Sequence, residues 1–390
     1  MPFSFRRSKL DVPAGPLACG HPRVGLPRAL LAYRYYPLWH RFLTALGCTV
    51  VTSPPTNKDI LAAGIRATID DVCIPLKAFV GHLLYLKALG VDRMMVPRVF
   101  AIENSPKRRF TCPKFMGLPD LARAVLEGSP LLLDADLDVR ERPAEETFVE
   151  TGRMLGCAKK AALASYRAAI DVQVRFDGLR AEGCGFSRAL GLALAGDASD
   201  ARADRQPEPS PCRPSACRDG EPAEAGAVMT DCRSPAPARC RAATNSGFRP
   251  GDRSGPSVAV VGHPYLLCDR FLSFSLYERL ERLGVRVVDL FTVPRAAIEN
   301  ELANYAELSW SYERELLGAV SHFMTRRHVD GIVFLTSFAC GTFPVVSEVI
   351  EREVRRRATR PVPVLYLMVD ELTGEAGVQT RLESFCDMIG

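Results

Sequence analysis

No uninterrupted apolar stretch in this chain approaches the ~20 residues that a membrane-spanning helix needs. The opening residues, Met1 to Lys9 (MPFSFRRSK), carry charge with no apolar segment behind it, so no secretory leader is expected. Leu17 to Gly20 (LACG) resembles a lipoprotein cleavage site but lacks the apolar run that should precede it. A cytoplasmic chain without a membrane partner is the expectation. A concentrated basic stripe is missing too. The net charge of +5 comes from 50 basic and 45 acidic residues spread along the chain, which argues against a nucleic-acid partner. The nucleotide-cradling pattern GxxxxGK[ST] is absent, and no GxGxxG follows either of the segments that begin at Arg23 and Val260. Autonomous ATP hydrolysis is therefore disfavoured. Paired CxxC knuckles, the usual mark of structural zinc, are also lacking.

What is there is an unusual set of cysteines. The chain has 13, an odd number with no short disulfide framework. Three stand alone at apparent helix starts: Cys73 in Asp71 to Lys77 (DVCIPLK), Cys112 in Thr111 to Phe115 (TCPKF) and Cys340 in Phe338 to Pro344 (FACGTFP). They are too widely spaced for any local loop to gather them, Cys340 above all, so only a fold joining two halves of the chain could do it. A helix N-terminus favours thiolate, and a ligand cysteine followed by proline is a recurring iron–sulfur context. Inert packed thiols compete evenly with this reading, and zinc competes with iron–sulfur. Cys19, Cys48, Cys157, Cys184, Cys268 and Cys386 lack such contexts and are expected to pack as small hydrophobes.

The organisation is that of a weak internal repeat. Gly25, Pro27, Leu30, Leu46, Gly47, Val50 and Val51 each find the same residue at one constant offset, at Gly262, Pro264, Leu267, Leu283, Gly284, Val287 and Val288. Each copy reads strand, helix, Leu-Gly stop, strand, and continues into a further helix (79–89, 317–327) and a further strand (92–97, 330–336). Such alternation predicts an α/β protein of two Rossmann-like domains, with parallel sheets facing a central cleft and ligands outside the carboxyl ends of the strands. The expected boundaries are 20–142 for an N-terminal α/β domain, 143–194 for a helical connector and 257–390 for a C-terminal α/β domain. The connector reads as one long helix from 144 to about 182, with Leu155, Ala162, Tyr166, Ile170 and Val174 on its packed face. Between lies a Pro-rich insert, 195–256, with no leucine or isoleucine and Phe248 as its one aromatic. Such a segment is expected to be disordered. Its Cys212, Cys217, Cys232 and Cys240 fit no standard zinc spacing.

Two polar strings merit attention. Ser53 to Lys58 (SPPTNK) reads as a helix start capped by Thr56 or Asn57. Asp370 to Gly377 (DELTGEAG) places carboxylates at the end of a strand over 364–369, which makes Glu371 and Glu375 weak catalytic candidates. Capping by Thr373 with Glu375 in the first turn is the plainer reading.

These strings, together with Gly25 to Leu30 (GLPRAL), Tyr35 to Pro37 and Gly262 to Tyr265 (GHPY), resemble the acyl-CoA dehydratase activase-related family. Its members are relatives of the cluster-bearing subunits of 2-hydroxyacyl-CoA dehydratases, the 2-hydroxyglutaryl-CoA dehydratase D-component group. The resemblance covers roughly 20–135 and 257–390, and departs at Leu372, where the family commonly carries histidine. It implies a [4Fe-4S] cluster held by Cys73, Cys112 and Cys340, with one iron lacking a cysteine ligand. It further implies an ATP-dependent activase partner of the BadF/HgdC type that delivers low-potential electrons, a second cluster-bearing subunit and a CoA thioester. Two function classes follow: an electron-transfer or dehydratase/reductase component, and a non-catalytic accessory, scaffold or activator protein for a dehydratase-like complex.

Overall fold

The computed structural model describes residues 21–103, 109–127, 130–195, 255–326, 329–358 and 360–390. The insert, apart from its margins, and Cys19 lie outside the described residues. In the first half, β1 (Arg23–Leu26), α1 (Ala32–Ala45), β2 (Thr49–Thr52), α2 (Lys58–Arg66), α3 (Ile74–Ala88) and β3 (Arg93–Met95) follow one another. Next come β4 (Arg98–Ala101), α4 (Pro113–Met116), α5 (Leu118–Leu126), β5 (Leu131–Leu133) and β6 (Asp136–Asp138). Three helices then lead out of this half: α6 (Ala144–Met154), α7 (Lys159–Ala181) and α8 (Phe186–Ala195). The second half runs β7 (Ser257–Gly262), α9 (Pro264–Leu267), α10 (Leu276–Arg282), β8 (Arg286–Asp289), α11 (Arg295–Leu302), α12 (Ser311–Thr325) and β9 (Gly331–Ser337). It ends with α13 (Phe343–Val349), α14 (Arg355–Arg357), β10 (Val364–Val369) and α15 (Glu375–Ile389).

Two four-stranded sheets result, with orders β2-β1-β3-β5 and β10-β9-β7-β8. All their pairings are parallel. The second order is the first read backwards, with β7, β8, β9 and β10 in the places of β1, β2, β3 and β5. Helices α3 and α12 begin and end at the same offset that relates Gly25 to Gly262, so the repeat seen in scattered residues holds for whole elements. Strands β7 and β9 are buried at every position, as central parallel strands covered on both faces must be. Apolar side chains of both sheets join one continuous buried cluster.

Three expected elements are divided. The 144–182 helix breaks at Leu155, where Gly156 takes φ +77° and ends α6 before α7 begins. The packed face shifts accordingly: Ala162, Ala169, Val172 and Phe176 are buried, while Val174 is 65% exposed. The apolar run 131–137 (LLLDADL), which by sequence reads as one strand, splits into β5, in the main sheet, and β6, which pairs with β4 in a separate two-stranded ribbon. Strand 92–97 likewise stops at Met95, because Pro97 has no N–H to offer a ladder.

Helices α2 and α3 touch backbone to backbone. A Cβ on Gly81 would stand 1.9 Å from the Ile60 carbonyl oxygen, and one on Gly64 would stand 1.7 Å from that of Lys77. Gly178 in α7 meets nothing within 4 Å. In denaturant melts Gly81→Ala should therefore lose about 3 kcal/mol. Gly178→Ala should gain about 0.5 kcal/mol from the lower entropy of its unfolded chain. Similar behaviour of the two variants would contradict the α2–α3 packing.

Candidate metal centre

Each of the three cysteines owes its place to a chain turn. Cys73 is the N-cap of α3 with extended backbone, φ −63° and ψ 146°, and its carbonyl accepts from Leu76 N (2.9 Å) and Lys77 N (3.2 Å). Cys112 caps α4, with Pro113 fixing the first helical φ. The residues before it are stitched to the other half: Phe110 N donates to Ser309 O (2.7 Å) and Ser311 N to Phe110 O (2.9 Å). Cys340 departs from the expectation. It is not a cap but lies in the turn between β9 and α13, whose N-cap is Thr342. Ala339 before it takes φ +60°, a left-handed conformation that costs a non-glycine residue roughly 1–3 kcal/mol.

The fold brings these three thiols into one neighbourhood. Burial raises the Cys73 thiol pKa, the Lys114 ammonium and the Leu76 N–H lower it, and the Cys340 sulfur raises it again. Burial pushes Cys112 up to about 12, assisted by Glu313, Cys73 and Cys340. Tyr265, buried between the halves, is raised well above its usual range, first by burial and then by Cys340, Cys112, Glu313 and Cys73. Desolvation thus outweighs the helix terminus that sequence pointed to, and raises both thiols above their ordinary pKa. Lys114 links the turns, donating to the Ala339 carbonyl at 2.8 Å while acting on Cys73. Phe115 packs edge-on to Tyr265 at 5.7 Å, and Tyr265 stacks on His263 at 4.9 Å.

Beside Cys340 stands a polar group that sequence reading passed over. His263 follows β7, Cys340 follows β9, and the chain's path reverses between these neighbouring strands, the place where open α/β sheets bind ligands. Glu313 enters from the first turn of α12. His263 Nε2 donates to Glu313 Oε1 at 3.2 Å, and the Thr342 hydroxyl donates to the same oxygen. Glu313 Oε2 is buried with no hydrogen-bond partner among the described residues. Burial alone would raise the Glu313 carboxyl, but His263 and Thr342 outweigh it and hold its pKa below the ordinary value. Ligand atoms of His263, Glu313 and Cys340 all lie within 4.8 Å of one another, a grouping that leaves out Cys73 and Cys112. His263 sits in the GHPY string, which enters the sequence reading only through the family resemblance; Glu313 carries no sequence signal at all.

Other expected residues fall elsewhere. Glu371 pairs with the fully buried Lys77, whose ammonium also donates to Asp70 O at 3.1 Å. That makes it a tie between the halves. Glu375 is largely exposed and pairs with Arg279 at 2.8 Å. Thr373 does not cap α15, whose N-cap is Gly374; its hydroxyl donates to Asp370 Oδ1 (2.7 Å) and closes the preceding turn. Asn57 caps α2, accepting from Asp59 N and Ile60 N. Cys48, Cys184 and Cys386 are buried, as expected of packing residues, and Cys157 and Cys268 are partly so. A cavity of about 530 Å³ lined in part by Arg180, Cys268, Tyr277 and Asp289 contains none of the three singled-out cysteines.

Thr56, released from capping, joins a second tie. Its hydroxyl donates to Asp269 Oδ2 (2.5 Å) and contacts His82 Nε2 (3.0 Å), and Tyr33 OH also donates to Asp269 Oδ2 (3.0 Å). Burial first, then the charge of Arg28, lowers the His82 pKa from 6.5 to about 3. The unfolded chain therefore binds the extra proton as pH falls below 6.5, and stability drops with it. Between pH 6.5 and 4 this should cost the native protein about 3 kcal/mol more than it costs His82→Asn. Parallel stability–pH curves for the two proteins would show that His82 titrates normally.

The family model described as CoA enzyme activase uncharacterised domain (DUF2229) matches residues 23–290. The chain belongs to that family. This agrees with the resemblance drawn from the motifs. The matched span of the CoA enzyme activase domain runs from β1 through β8 and includes Cys73, Cys112 and His263; Glu313 and Cys340 lie beyond it. No curated protein matches the chain. Among the described residues, no helix is long and apolar enough to cross a membrane.

Proposed function

We propose that this member of the CoA enzyme activase domain family is a cytoplasmic iron–sulfur protein. In this reading Cys73, Cys112 and Cys340 hold a [4Fe-4S] cluster in the cleft between the two sheets. The single observation that carries it is the meeting of three thiols, drawn from both halves of the chain, around Tyr265 and Lys114. Spacing in space favours a cluster over one ion. Thiolates on a single tetrahedral zinc, with bonds of ~2.3 Å, stand only about 4 Å apart. Cys73 and Cys112 fall outside the one-ion grouping around Cys340, whereas an inorganic core accepts wider sulfurs.

When bound, such a cluster would supply one-electron chemistry at low potential. The chain's own residues set its surroundings. Cys73, Cys112 and Cys340 would bind the irons, Lys114 would offset their negative charge, and Tyr265 with Phe115 would exclude water. An ATP-dependent activase partner is the proposed electron source, with a CoA thioester as the proposed acceptor class. Ile69, Phe338 and Leu372, at 71%, 57% and 88% exposure, form apolar tips on the segments bearing Cys73, Cys340 and Glu371 and offer such a partner a contact. The 530 Å³ cavity is poorly suited to a phosphate-rich ligand, since Glu182, Glu278, Glu281 and Asp289 line it together with Arg180, Arg270 and Arg286.

Anaerobically purified protein should be brown and hold about four irons per chain, the content of one [4Fe-4S] group. Cys340→Ser should lose most of that iron, and Cys386→Ala, a buried thiol of α15, should keep it. Colourless protein carrying zinc, or equal iron in the two variants, would reject the assignment.

A further inference from the structure

We infer that Glu313 supplies a carboxylate ligand, through Oε2, to the metal site at Cys340. The inference rests on the proposed metal binding by Cys340 and adds a ligand that no cysteine pattern reveals. Its basis is an imbalance between the two oxygens of one buried side chain. Oε1 accepts from both His263 and Thr342, whereas Oε2 has no donor although Glu313 is 1% exposed. A carboxylate oxygen buried without a partner loses its hydration with nothing in return. A carboxylate oxygen of Glu313 lies within 4.8 Å of the Cys340 sulfur, so a cation bound there would supply the missing partner.

The donor set suits a transition metal. One thiolate and one carboxylate within 4.8 Å need only a small approach to reach the spacing of about 4 Å or less that bonds of ~2.0–2.3 Å to one ion set. His263 and Thr342 then act as positioning residues, fixing Oε1 so that Oε2 points at the metal, the arrangement by which outer hydrogen bonds orient ligands. Thr342 Oγ1 also lies 3.7 Å from Cys340 Sγ, so one hydroxyl touches both donors. In a three-cysteine cluster this carboxylate would take the terminal position of the iron that lacks a cysteine ligand.

The test compares wild type, Glu313→Gln and Glu313→Asp after anaerobic loading with iron and sulfide, following iron loss to a chelator and the electron paramagnetic resonance spectrum after mild oxidation. Glu313→Gln preserves shape and the Oε1 hydrogen bonds. It should release one iron at least ten-fold faster than wild type and leave a three-iron signal, with Glu313→Asp in between. Equal release rates in wild type and Glu313→Gln, with a cluster present in both, overturn the inference and leave the cluster standing. If wild type takes up no cluster, the proposed function fails, and Co²⁺ alone becomes the probe. A sulfur-to-cobalt absorption band weakened by both Cys340→Ser and Glu313→Gln sustains the ligand role at a single-ion site, whereas a band indifferent to Glu313→Gln, or no band, overturns it.

Discussion

Lys114 leaves the turn behind Cys112, lowers the cost of charge on Cys73 and donates to the Ala339 carbonyl beside Cys340. One flexible cation thus touches all three turns. Other polar ties between the halves include Lys77 with Glu371, Thr56 and Tyr33 with Asp269, and the backbone exchange of Phe110 with Ser309 and Ser311. Breaking a buried pair such as Lys77–Glu371 by removing one partner costs about 3–5 kcal/mol, because the survivor is left desolvated. Such contacts demand a defined relative placement of the halves, which apolar packing alone would not impose.

That placement is what gives the cleft its chemistry. Around Tyr265 burial dominates every other influence, raising Cys73, Cys112 and the tyrosine itself against whatever the helix termini and Lys114 offer. Glu313 is the exception, held ionised by two hydrogen bonds to one oxygen. The region therefore sets two thiols whose ionisation burial disfavours, Cys73 and Cys112, beside a carboxylate whose ionisation is favoured. The left-handed Ala339 stores backbone strain next to Cys340, as is common where a turn is shaped for a site and not for its own stability.

Much of the architecture could be read in one dimension. The constant offset between Gly25 and Gly262 extends to the ends of α3 and α12, because both copies bury the same faces of the same elements. Asn57 was legible as a cap from its residue type, and Cys73 and Cys112 from the prolines that follow them. Leu155 to Ala158 was not: periodicity ran across the break, and only Gly156 marked it. The split of 131–137 escaped for a related reason, since an apolar run does not say which sheet it joins.

By itself, then, the amino-acid order indicated most of the elements, their parallel pairing and the three thiols worth following, since those depend on local periodicity and turn chemistry. Glu313 had to wait for tertiary structure. Nothing near it in the chain distinguishes it from the less buried glutamates Glu307 and Glu315, and its meaning comes from His263, Thr342 and Cys340, which reach it from the ends of two other strands. The raised pKa of Cys73 and of Cys112 was likewise settled only in three dimensions. A helix start acts over one turn, whereas desolvation is set by whichever parts of the chain close over the sulfur.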